Sequence, residues 1–150
     1  MSMHPGHLRR VIVSALFRHL GRGAASAAAV ELLMLTAATE SRLGTYLYQI
    51  RGPAVGIFQM EPQTHDDLQS RKVIGRYTNV PLADAQRMAW DLAYAAVMAR
   101  IYYMQFIEPL PAADDIPGMA EYWKEYYNTE AGAGTPEKAI ADYERYVLRL

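Results

Sequence analysis

Residues 24–41 read AASAAAVELLMLTAATES, and a helix made of them is apolar on nearly every side. Helical periodicity spreads the alanines, the leucines and Met34 around the whole circumference, so no face is left for water. Such a helix is stable only when other elements wrap it. The run is too short for a membrane span and Glu31 interrupts it, so the wrapping has to come from the rest of the chain. At 150 residues the chain suits one domain around one core.

The flanking segments supply helices for that purpose. His7 to Leu20 is amphipathic, with Val11, Leu16 and Leu20 on one side, arginines on the other, and Gly21 and Gly23 closing it. Ser26 is placed to cap the buried helix, and Pro62 to begin a short one ending near Ser70. Pro81 and Asp84 open a long segment, Leu82 to Ile107, which reads as the central core helix and carries Trp90 within it. Met119–Asn128 and Pro136–Leu148 form two more, the second capped by Thr135. Glycines, Pro53 and tyrosines make Leu43–Pro53 an irregular loop or small hairpin, and Glu108–Gly118 is a turn-rich connector. The expected fold is mostly α, one domain over 1–150, with an amino-terminal amphipathic helix (1–23) packed on a core (24–150) and a small β feature near Tyr46.

Charge and composition remove several function classes. A formal net charge of -1 argues against a nucleic-acid binder. The distribution is uneven: no acid precedes Glu31, while Arg9, Arg10, Arg18 and Arg22 lie there, so the first helix either packs on the domain or docks on a membrane surface or acidic partner. The absence of cysteine removes disulfides, thiolate chemistry and Cys-based zinc sites. His65 stands alone among acids, so no metal and no cofactor is expected. The apolar run after Arg10 is short and interrupted by Arg18 and His19, which fits a mature helix better than a signal peptide.

Two tracts carry chemistry. In VGIFQMEPQT a neutral amide, Gln59, sits among Val55, Ile57, Phe58 and Met60. Burying it without partners costs about 1–3 kcal/mol, so something must bond it. Upstream, Glu40-Ser41 ends the apolar helix. Desolvation and the partial negative charge of a helix carboxy-terminus both raise the pKa of a carboxyl placed there. A carboxylic acid kept protonated near neutral pH can protonate a glycosidic oxygen.

Together Glu40-Ser41, then Gly56-Ile57-Phe58-Gln59-Met60 with Pro62 and Thr64, then Tyr127-Asn128 before Gly132 and Gly134, resemble the lytic transglycosylase and goose-type lysozyme superfamily. The tracts GPAVGIFQMEPQTHDDL and YWKEYYNTEAGAGTPEKAI look like small phage-encoded members, and the likeness spans roughly Leu32 to Ile140. The resemblance implies a lysozyme-like α fold and cleavage of the β-1,4 bond between N-acetylmuramic acid and N-acetylglucosamine, by anhydro-forming or hydrolytic chemistry. It assigns Glu40 as the acid, followed by Ser41. Gly56 permits a close approach, Gln59 contacts sugar or positions its loop, Tyr127 bonds Glu40, and Asn128 follows it. Outside the motif, Tyr46, Tyr48 and Trp90 offer stacking faces for sugar rings, although the place of Trp90 on a core helix favours a packing role for it. Glu61, Asp66 and Asp67 are the candidates for a second acid, unless they serve as first-turn acids of the helix begun by Pro62.

The implied partners are peptidoglycan strands and other virion proteins, with neither nucleic acid nor membrane insertion. The protein would be made in the cytoplasm, then carried in a virion or released through a membrane lesion. There are departures: Glu61 stands where the family has an apolar or small residue, RLGTYLYQIRGP replaces the usual Asn-Pro-like loop, and the first helix lies outside the motif. The competing reading is a non-enzymatic structural or wall-binding virion protein that keeps the fold. In that protein the groove would be closed, or filled by the amino-terminal helix.

Overall fold

The computed structural model describes residues 1–71, 77, 79–129 and 132–150, and they form a mostly α domain. Helix α1 (Pro5–Leu20) starts two residues before the expected His7, because Pro5 suits the first helical position and His4 Nδ1 accepts the Gly6 amide at 3.1 Å. Its buried face is Leu8, Ile12, Ala15 and Leu16. Val11 and Leu20, expected inside, are only half-buried: helical spacing from Leu8 favours the other stripe.

Helix α2 (Ala27–Ser41) is the apolar run, capped by Ser26 through the Ala29 amide at 3.1 Å. Leu33, Met34, Leu35, Ala37 and Ala38 are all at 0% exposure, which places this helix at the centre. Its polar interruption is satisfied: Glu31 accepts from Arg9 of α1 at 2.8 Å and from the Tyr143 hydroxyl, tying three helices at one carboxylate.

After α3 (Pro62–Ser70), the expected long helix is absent as such. The structure has a short α4 (Arg87–Trp90), a break at Asp91, and α5 (Leu92–Tyr103). Asp91 adopts an extended conformation and caps α5, accepting the Tyr94 amide at 3.0 Å while pairing with Arg87 at 2.9 Å. A side chain that satisfies a helix start in this way stops the preceding helix. Trp90, expected in the core, therefore ends 72% exposed. Helix α1 lies along α5, and α5 lies against α2.

Helices α6 (Ile116–Trp123) and α7 (Pro136–Tyr143) close the bundle on α2. Each continues into a wider π turn, Lys124–Asn128 and Glu144–Leu148. Thr135 caps α7 as its sequence predicts, accepting the Lys138 amide at 3.1 Å. The small β feature is present as isolated antiparallel bridges, Tyr48 with Val55 and Val55 with Met60. No described helix is long and apolar enough to cross a membrane.

Candidate active site

The carboxyl end of α2 and the hairpin after it form one wall of a cleft of about 650 Å³; the π turn after α6 with Thr129, Gly132 and Ala133 form the other. Four turn residues, Gly56 to Gln59, link Val55 and Met60, whose backbones exchange bonds of 3.0 and 3.2 Å. The turn needs glycine at 56: its φ is +85°, and a Cβ there would lie 2.4 Å from the Met88 carbonyl oxygen. Ile57 and Phe58 plug into the core at 0% and 2% exposure.

Both of their carbonyls are held. Ser41 Oγ donates to the Ile57 oxygen at 2.6 Å and accepts the Gly44 amide at 2.9 Å, while Ala37 O, at 3.1 Å, is the longer alternative for its single proton. Tyr127 donates its hydroxyl to the Phe58 oxygen at 2.7 Å. Ser41 and Tyr127 thus clamp the turn from either side and set the position of Gln59. Gln59, at φ +49°, donates Nε2 to Gly56 O at 3.0 Å. Its amide oxygen has no partner among the described residues, and the side chain lines the cleft. The amide is half satisfied by its own turn and half offered to whatever enters.

Glu40 lines the same cleft from the last turn of α2. Burial raises its carboxyl from the ordinary range to about 7, against the opposing pull of the Trp123 N–H and the positive charge of Lys138. Here one expectation is corrected. Tyr127 does not bond Glu40; Trp123 does, its Nε1 donating to Oε2 at 3.0 Å. The phenol of Tyr127 is spent on Phe58, and it stacks on Tyr103 with ring centres 5.3 Å apart. Burial above all pushes both phenols well above their usual pKa, helped by the Glu40 charge and, at Tyr103, opposed by the Thr36 hydrogen bond, so they stay neutral.

Asn128 also lines the cleft, with Oδ1 held by Lys124 Nζ at 2.8 Å; the same ammonium reaches Thr129 O at 2.7 Å and Gly132 O at 3.0 Å. One lysine thus fastens the far wall. Tyr46 and Tyr48 are absent from the cleft lining, and Tyr48 is 61% exposed. The phenols that do line it are Tyr127 and Tyr102, the latter donating its hydroxyl to Tyr126 O at 2.7 Å; Gln49 lines it as well.

Of the three second-acid candidates, Glu61 reaches the cleft while Asp66 and Asp67 do not. None is a first-turn acid of α3: Glu61 is its N-cap residue, without a side-chain cap bond, and the two aspartates lie deeper in the helix. Asp66 sits 2.9 Å from Nδ1 of the fully buried His65, whose Nε2 meets the Tyr94 hydroxyl at 2.6 Å. Among the described residues no three of His, Cys, Asp and Glu converge on a point where a metal ion would sit.

Sequence reasoning missed Trp123, Tyr102 and Gln49. A signal for the first existed: Trp123 precedes Tyr127 by four residues, so one helical face carries both. No protein-family model, no curated protein and no solved structure matches this chain.

Proposed function

We propose that this chain is a peptidoglycan-cleaving glycosidase of the lytic transglycosylase and goose-type lysozyme kind. It would act as a transglycosylase on the β-1,4 bond after N-acetylmuramic acid, and be phage-derived and carried to the wall with other virion proteins. The observation that carries the reading is a carboxyl raised to about 7 on the wall of an open cleft that it shares with Gln59. Such an acid keeps its proton near neutral pH without losing the ability to give it up. None of the cleft-lining residues comes from α1, which favours the enzyme over a virion protein whose groove is filled.

In the proposed reaction, Glu40 donates its proton to the glycosidic oxygen as the bond to the anomeric carbon breaks. The resulting carboxylate then takes the proton of the muramoyl 6-hydroxyl as that oxygen bonds the same carbon. Glu40 is reprotonated and a 1,6-anhydro end is left. No second carboxylate is consumed. The free amide oxygen of Gln59 is suited to accept from a sugar hydroxyl or acetamido N–H.

The test is digestion of purified peptidoglycan by the wild type and by Glu40→Gln, with products read by mass spectrometry. Anhydromuramyl ends from the wild type, reduced about 100-fold or more in the variant, are expected. Reducing ends would make it a hydrolase and turn attention to Glu61. No release from several wall types by folded protein would leave the wall-binding virion protein as the better description.

A further inference from the structure

A buried carboxyl has two oxygens, and what bonds each decides how it holds its proton. The titratable groups around Glu40 are Lys138 from α7, Tyr103 from α5 and Tyr127 from the π turn, with Glu61 also lining the cleft. The three donors are committed elsewhere. Lys138 bonds Asp142 at 2.5 Å, Tyr103 bonds Thr36 at 2.8 Å, and Tyr127 bonds Phe58 O at 2.7 Å. Among the described residues, the donor that reaches the carboxyl is the indole of Trp123, at Oε2.

That indole is fixed. Trp123 is 1% exposed, and a Cβ on Gly134 would lie 2.5 Å from its ring, so the chain before α7 lies directly against it. Its N–H is donor-only, and when buried it needs a partner. In a neutral carboxyl the carbonyl oxygen accepts and the other oxygen bears the proton. An N–H on Oε2 therefore selects Oε1 as the hydroxyl, and the same N–H stabilises the charge once the proton leaves.

We propose that Trp123, braced by Gly134, is the positioning residue for Glu40: it takes Oε2 and directs the transferable proton to Oε1. The catalytic consequence rests on the reading of Glu40 as the acid; the bond and the proton placement do not.

The deciding measurement is the indole N–H resonance of 15N-tryptophan-labelled protein followed through a pH titration. The chain has two tryptophans, so Trp90→Phe assigns both signals. The Trp123 signal is expected to move with a midpoint near 7 and to stop titrating in Glu40→Gln, while Trp90 stays flat through that range. A Trp123 signal flat from acid to alkali in wild type overturns the proposal, whether or not peptidoglycan is cleaved. In Trp123→Phe, shown folded by circular dichroism, the alkaline limb of the pH–activity profile is expected to rise by about one pH unit. A lower rate with an unmoved limb would reduce Trp123 to packing.

Discussion

Glu40 is held where burial favours its neutral form, and that has a cost in stability whose sign is fixed. A folded-state pKa near 7, against 4.5 for a freely solvated glutamate, means that the native state binds more protons than the unfolded state between those values. Stability then falls as pH rises from the lower value through the upper, by on the order of 3 kcal/mol, and levels off above it. Glu40→Gln should abolish that slope in urea unfolding measured at several pH values. A slope of unchanged size in the variant would assign it to other groups. Gly56 is the second residue with a large stake. Gly56→Ala adds a Cβ at a positive φ and against the Met88 carbonyl, so a loss of about 3 kcal/mol is expected, read as a lower urea midpoint with unchanged m-value. Both residues stand out in the sequence itself: the acid at the end of an apolar run, the glycine at the head of a turn.

At the scale of elements, the cleft depends on one helix end holding one turn. Ser41 is the joint between α2 and the Gly56–Gln59 turn. Ser41→Ala leaves the Ile57 carbonyl buried without its donor, at a cost of about 1–3 kcal/mol by thermal unfolding. Because the same bond positions Gln59, peptidoglycan cleavage should fall by more than the loss of folded protein accounts for. A loss of activity that tracks the folded fraction would make Ser41 a stability residue alone. The helices with strong local signals, Ser26 before α2, Pro62 in α3, Thr135 before α7, are where the sequence predicts them. The segment around Asp91 breaks where its nearly continuous apolar content predicts one long helix. An aspartate inside an apolar run reads as a tolerated interruption until its bonds to the Tyr94 amide and Arg87 are known.

For the whole molecule, α1 is part of the core despite lying outside the motif tracts. Leu8, Ile12 and Leu16 are 1%, 0% and 0% exposed, and α1 lies along α5. Leu8→Ala or Ile12→Ala is expected to cost about 2–5 kcal/mol each by urea unfolding. Removing residues 1–23 should abolish cooperative unfolding altogether, since it strips a wall from a domain with only about 5–15 kcal/mol to lose. A truncated chain that still unfolds cooperatively would show α1 to be an appendage.

What the sequence determined by itself is local: the helices marked by periodicity and caps, the central burial of α2, and an acid at its end with reason to stay protonated. Each depends on residues within a few positions of one another. Only the tertiary structure decided which group bonds that acid. Trp123 and Tyr127 are one turn apart on the same helical face, and both are chemically able to donate. The choice between them follows from the π turn and from where the Phe58 carbonyl lies, a contact 69 residues distant in sequence. The same holds for Tyr102 taking the place at the cleft expected of Tyr46 and Tyr48. Local pattern limits what a side chain can do, while packing between distant segments decides which of several able side chains does it.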